Sequence, residues 1–222
     1  MSAITVRDAI LQTLQRNTAI ETEFSMLLTG AVTSVDNLIE GTNTLFKSQL
    51  KVGDYIGVAA KGYRMITEID SDTNLTVESE FESEFDGEVI RKTFVTDSFD
   101  NIVNTFDTGR LIAVEFFKST DIDAEAAKSM GMSAPIQRVM ALYGFTVIVA
   151  FSEIDRRTAN HRTMAYDKLL RDAIDYDLTF NGTCIGITDM GDFSVDEYPN
   201  SEGIYFGALP VITYKMEQRG NR

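Results

Sequence analysis

Cysteine, histidine and tryptophan are nearly missing from this chain. One cysteine, Cys184, in 222 residues excludes an internal disulfide and any zinc cage built from several thiolates. The single histidine, His161, leaves only one possible imidazole base for a Ser- or Cys-centred triad, and no Gly-x-Ser-x-Gly elbow is present. No tryptophan offers a platform on which a sugar ring could stack. No run approaches the ~20 apolar residues that a membrane helix needs. The opening Met1-Ser-Ala-Ile-Thr-Val-Arg-Asp8 lacks the apolar core of a signal peptide. Neither Gly-x-x-x-x-Gly-Lys nor Gly-x-Gly-x-x-Gly occurs, so no phosphate cradle is written in the chain. The expectation from these absences is a protein of a reducing, cytosolic setting with no catalytic residues, no metal and no cofactor.

What is present is apolar and acidic. Hydrophobic residues make up 44% of the chain, enough to bury a core. The net charge is -14, which repels a nucleic-acid backbone and disfavours general DNA binding. Glu21–Lys92 holds 14 acids against 6 bases, so the charge is densest there. Such density keeps an exposed module soluble.

Residues 29–95 carry short apolar runs, each ending in a Gly, Asn or Asp turn. Glu40–Phe46, Leu50–Ile56 and Ile66–Val77 are the main ones, and the texture predicts a small antiparallel sandwich or barrel of about five strands. Turns are expected at Lys51–Asp54, Ala60–Gly62 and Asp70–Asn74. The rest of the chain reads helix, strand, strand, helix, strand, strand. Val6, Ile10, Leu11 and Leu14 recur at helical spacing over Thr5–Arg16, with Thr5 and Asp8 as a weak capping box and Asn17 as a stop. A short helix is expected over Asp97–Asp107, then a strand over Arg110–Lys118 and one or two strands over Gln137–Phe151, with Gly144 at a bend or bulge. A polar linker, Ser119–Pro135, separates those strands, with Asp123–Met130 as a helical stretch inside it. Arg162–Phe180 is the strongest helical pattern, closed by Asn181-Gly182. Two late strands are expected, Ile204–Phe206 and Leu209–Met216. The division this implies is an α+β domain formed by 1–22 and 96–222, with helices on a sheet, and a small all-β domain, 23–95, inserted after the first helix.

Four constellations bear on chemistry. Asp70, Asp72 and Asn74 copy the first ligand positions of a calcium loop, but Leu75 and Phe81 stand where its Gly and closing Glu belong, so a polar turn is expected. Glu78, Glu80, Glu82, Glu84 and Asp86 alternate with Ser79, Phe81, Ser83, Phe85 and Gly87; on a strand, period two would gather the acids on one face. The expected role of such a face is a charged strand edge, with a patch for a cation or basic partner as the rival. Cys184, between a helix end and an apolar strand, is expected to be a buried structural thiol. Arg156, Arg157, His161 and Arg162 form the one basic concentration in an acidic chain. They read as a loop before the best helix, either paired with acids such as Glu153 and Asp155 or contacting an acidic partner or DNA in a confined channel.

The part outside 23–95 resembles the tail terminator (tail-completion) proteins of long-tailed bacteriophages. The likeness lies in Val6–Leu14, Gly109–Phe117, Tyr143–Val149, Ala165–Ile174 and above all Gly203–Tyr214, about two-thirds of the chain. Gly41–Phe46 and Leu50–Ile56 resemble small β-domains that decorate phage tail and neck proteins. An insert after the first helix departs from the minimal terminator. The resemblance implies a virion protein of the tail or neck, assembled in the host cytoplasm as a homo-hexameric ring. It implies a tail tube protein on one face and a head-tail connector or stopper on the other. DNA would pass through the ring without specific nucleic-acid recognition, and neither a membrane nor a cofactor would be involved. Arg156, Arg157, His161 and Arg162 are then the candidate partner contacts, together with the 119–135 linker.

Overall fold

The computed structural model describes residues 3–97, 109–121, 138–153, 155–180, 182–184, 186–197 and 203–218. The helix expected over 97–107 and most of the 119–135 linker lie outside these residues. The fold is mixed α+β, with a large antiparallel sheet and helices. The chain divides into two compact units, Leu14–Thr96 and Met1–Thr13 with Asp97–Arg222.

The first helix, α1 (Ala3–Arg16), buries Val6, Ile10, Leu11 and Leu14, the stripe its spacing predicts. It is already helical at Ala3, so Thr5 lies inside it and cannot cap it. Asp8 instead accepts from the Arg7 guanidinium at 2.8 and 3.0 Å. Asn17, read as a stop, also starts the next helix, α2 (Thr18–Glu23). Its Oδ1 accepts from the Ala19 and Ile20 backbone N–H groups at 3.0 and 3.2 Å.

In the Leu14–Thr96 unit seven strands form one sheet. They are β1 (Ser25–Leu27), β2 (Ala31–Val35), β3 (Leu38–Thr42), β4 (Tyr55–Val58), β5 (Gly62–Ile69), β6 (Asn74–Val77) and β7 (Arg91–Thr93). Their order is β1-β7-β4-β5-β6-β3-β2, and every pairing is antiparallel. The sheet closes on itself. Phe94 N–H reaches Phe24 O at 2.8 Å and Leu28 N–H reaches Ile90 O at 3.0 Å. Val32 and Glu88 exchange both bonds, at 2.7 and 3.1 Å, and Ser34 N–H reaches Phe85 O at 3.0 Å. Residues 24–34 therefore run antiparallel to 85–94, and the two ends of the sheet meet. Leu28, Val32, Ile39, Phe46, Leu50, Ile56, Ile66, Leu75, Val77, Phe81, Phe85 and Ile90 form its core.

Seven strands replace the expected five because several are only three to five residues long. Asp36, in the left-handed region at φ 55, makes the tight β2–β3 turn, a conformation Asp tolerates. Glu40–Phe46 is not one extended run. β3 stops at Thr42, and Phe46 opens a single helical turn, α3 (Phe46–Gln49). Asp72, from the expected polar turn, holds that turn in place: its Oδ1 accepts from Lys47 N–H at 2.9 Å. Residues 78–87 are not a strand, which overturns the single acidic face. Phe81 and Phe85 are buried four residues apart and meet edge to face at 4.7 Å. The acids go separate ways: Glu78 accepts from Met65 N–H and Glu82 pairs with Arg16. A two-residue strand, β8 (Val95–Thr96), ends the unit. Val95 O accepts from the buried Gln15 side chain at 3.1 Å.

The other unit is built on long strands, β9 (Arg110–Asp121), β10 (Arg138–Ser152) and β13 (Ile204–Gln218), with the shorter β11 (Gly186–Met190) and β12 (Ser194–Glu197). β10 pairs with β13 along all 15 residues and with β9 on its other side. The expected bulge is there: Gly144 pairs with Lys118 and Phe145 with Phe116, leaving Phe117 as the extra residue. A Cβ on Gly144 would lie 2.6 Å from the Phe117 ring, so glycine makes room for that side chain. The two expected late strands are one. Pro210 does not break β13, because it sits between the residues paired with β12 (Tyr205–Ala208) and those paired with β11 (Val211–Tyr214).

Candidate interaction surface

The basic residues Arg156, Arg157, His161 and Arg162 lie on a helix, α4 (Arg156–Asp175), and not in a loop before it. Asp155 starts it. Its Oδ1 accepts from Thr158 N–H at 2.9 Å and its Oδ2 from the Thr158 hydroxyl at 3.1 Å. Those bonds, the backbone one first, hold the Asp155 carboxyl below the usual carboxylate range. The apolar stripe begins later than the cap, which is why periodicity alone placed the start at Arg162. The helix also ends sooner than expected. Turns occupy residues 176–180, where the Asp177 carboxylate takes the Thr179 N–H and hydroxyl at 3.1 and 2.9 Å. Gly182, at φ 75, lies beyond those turns and does not cap the helix.

The inner face of α4 buries Ala159, Tyr166, Leu170, Ala173 and Ile174. Tyr166 meets Phe151 of β10 edge to face at 5.3 Å, and Phe151 stacks on Tyr205 of β13 at 6.1 Å. Arg171 ties the helix down by donating to Asp167 at 2.6 Å and to Gly191 O at 2.7 Å. Leu178, inside the expected helix, lies past the end of α4 and is exposed.

The four candidate residues separate into two groups. Arg162 turns to Glu153, at 2.5 Å, where the carboxylate is only 8% exposed. A buried carboxylate left alone is costly, so this arginine is structural. Asp155, the other expected partner, is used as the cap. Arg156, Arg157 and His161 are exposed, and among the described residues neither Arg156 nor Arg157 has an ion-pair partner. Arg157 and His161, four residues apart, share one helix face.

Their placement runs against the helix. A helix carries partial positive charge at its N-terminus and negative at its C-terminus. α4 has no acid in its first turn and no base in its last. Its start holds Arg156 and Arg157, and its end holds Asp172 and Asp175, followed by Asp177. Each misplaced charge of this kind costs roughly 0.3–1 kcal/mol. Tyr176, between two aspartates, is 90% exposed, and Met164 in mid-helix is 72% exposed. The sequence reading missed this acidic end. The signal that would have found it is the order of charges along the helix, set against the dipole.

Cys184 is buried, as expected, while His161 is exposed on the second turn of α4. Among the described residues no group of three or more His, Cys, Asp or Glu could hold a metal ion, and no helix is long and apolar enough to cross a membrane. In comparisons with known proteins, the chain matches no family model, no curated protein and no solved structure.

Proposed function

We propose that this chain is a structural protein of the neck of a long-tailed bacteriophage. In this reading it is a tail terminator: a ring of copies, six by the resemblance, that ends growth of the tail tube and offers a docking face to the head-side connector. The observation that carries the reading is the succession α1, β9, β10, α4, β13 with the long pairings of β10 to β9 and β13. The resemblance rests on the order helix, strand, strand, helix, strand, strand; here the two last strands are one, preceded by the short β11 and β12. Such a task needs a rigid wedge with two side surfaces and two unlike end faces, and neither a catalytic residue nor a cofactor. The closed barrel of the Leu14–Thr96 unit is then an inserted accessory module. A net charge of -14 suits a ring through which DNA passes without being held. A free-standing module that binds through an acidic strand face is the weaker reading, since 78–87 does not form that face.

The test is electron microscopy of lysates from the virus that carries this gene, with the gene deleted. Filled heads beside overlong, uneven tubes are the expected result. Tails of normal length that fail to attach would move the protein to a stopper or adaptor position. Intact virions would overturn the structural reading.

A further inference from the structure

We propose that α4 is the head-to-tail connector between neighbouring copies of this chain: the basic start of one α4 docks on the acidic end of the next. The inference rests on the ring reading above and gives that ring its contact surface.

Three observations carry it. The first is complementarity between the two ends of a single helix, Arg156, Arg157 and His161 against Asp175 and Asp177, together with Asp172, which already carries Lys168 at 2.5 Å. A 20-residue helix is about 30 Å long, so these ends cannot neutralise each other within one copy. The second is that the arrangement opposes the helix dipole, so it does not serve the isolated helix. The third is exposed apolar area at the acidic end, where Tyr176 is 90% and Leu178 47% exposed. An aromatic ring between aspartates is a contact that an arginine can cover by stacking while its charge meets the carboxylates.

The occupant is a second copy because the chain otherwise repels itself. At a net charge of -14, two copies approach favourably only where one presents a local positive patch, and α4 begins with such a patch. A contact between two different patches of the same molecule is heterologous, and a heterologous contact closes into a ring when its rotation allows.

Sedimentation velocity on the purified full chain, from low to high micromolar concentration at low and at physiological salt, tests this. Arg156→Glu/Arg157→Glu, Asp172→Lys/Asp175→Lys and a one-to-one mixture of the two variants are compared with wild type. Wild type is expected to form species larger than a dimer, less so at high salt. Each variant alone should associate about tenfold more weakly or worse, and the mixture should recover assembly, because every junction then pairs unlike charges. Circular dichroism melts should show both variants folded, at or above the wild-type midpoint. Wild type that assembles, with both variants unchanged, would remove α4 from the contact and leave the ring reading standing. A species that stops at a dimer would replace the head-to-tail contact by a two-fold one. Wild type that stays monomeric throughout would overturn association through α4, while the gene-deletion microscopy still decides the role in the tail.

Discussion

The Leu14–Thr96 unit and the unit built on β9, β10 and β13 use their polar groups in opposite ways. In the first, side chains are spent on the fold itself. Ser34 is buried and clamps Phe85 from both sides, donating its N–H to Phe85 O at 3.0 Å and accepting the Phe85 N–H on its hydroxyl at 2.7 Å. Glu21 takes the Tyr63 hydroxyl and the Ala59 N–H, each at 2.7 Å. Lys92 and Asp54 pair at 2.6 Å with both side chains under 20% exposed. In the second unit α4 carries two arginines that have no ion pair among the described residues, at the end of the helix least suited to them. Where local rules agree, the residues are explained by stability; where they conflict, a task outside the single copy is the physical reason to look for.

The largest expected effect is at the seam of the barrel. Phe85 is fully buried, packs edge-on to Phe81 and carries Lys61 over its ring at 4.7 Å. Phe85→Ala should lower unfolding free energy by about 3–5 kcal/mol, since it opens a cavity and frees the segment that closes the sheet. Phe116, 46% exposed and edge-on to Phe145, is its counterpart in the other unit. Phe116→Ala should cost about 1 kcal/mol. Guanidinium titrations of both variants check the contrast, and equal losses would break it.

Two glycines sharpen the same difference. Gly57 has φ 151, and a Cβ there would lie 2.1 Å from the Gly62 carbonyl oxygen, a backbone atom of the paired strand that cannot step aside. Gly57→Ala should cost about 3 kcal/mol, from backbone strain and overpacking together. At Gly144 the obstacle is the ring of Phe117, half exposed and able to swing outward. Gly144→Ala should cost about 1 kcal/mol or less. Thermal melts distinguish the two.

A smaller effect depends on pH. Burial first, and then the hydrogen bond to Glu21, push the Tyr63 hydroxyl well above its ordinary range. The folded state keeps a proton that the unfolded chain releases near pH ~10. Stability from this group is therefore fully present below that pH and is lost as pH rises beyond it. Tyr63→Phe should cost about 1 kcal/mol near neutral pH and make the alkaline decline shallower. Urea midpoints at neutral and alkaline pH measure both, and an unchanged alkaline slope would mean that Tyr63 is not what couples this unit to pH.

How much of this was legible in the sequence follows from the kind of signal each feature leaves. The α1 stripe, the long strands over 110–118 and 137–151 and the Gly144 bulge are local patterns of apolarity, and they read correctly. The β4, β5 and β6 runs were equally plain. The β2–β3 hairpin and β12 were missed because three to five residues carry too little period to stand out. The last strand read as two because Gly207-Ala208 interrupt its apolar pattern, and a pattern cannot tell that both are paired to β12. The acids over 78–86 alternate in sequence, but burial of Phe81 and Phe85 sets the path of the chain there. Asp155 was legible as a carboxylate near arginines, and its capping role was not, because a cap shows only against a known helix start.

The smallest effect bears most directly on α4. Replacing Arg156 and Arg157 by glutamate puts negative charge where the helix is partially positive, a gain that repulsion from the neighbouring Asp155 carboxylate offsets only in part. The Arg162–Glu153 pair is left intact, so no buried charge loses its partner. The double variant should therefore gain roughly 0.5–1 kcal/mol in unfolding free energy at low salt, and the gain should shrink as salt screens it. Denaturant titrations at two salt concentrations, below the concentration at which copies associate, read this directly. A gain shows that the native charges oppose the stability of the single chain. A loss would mean that Arg156 and Arg157 stabilise α4 within one copy, and the contrast between a self-satisfied barrel and a helix charged for a partner would go with it.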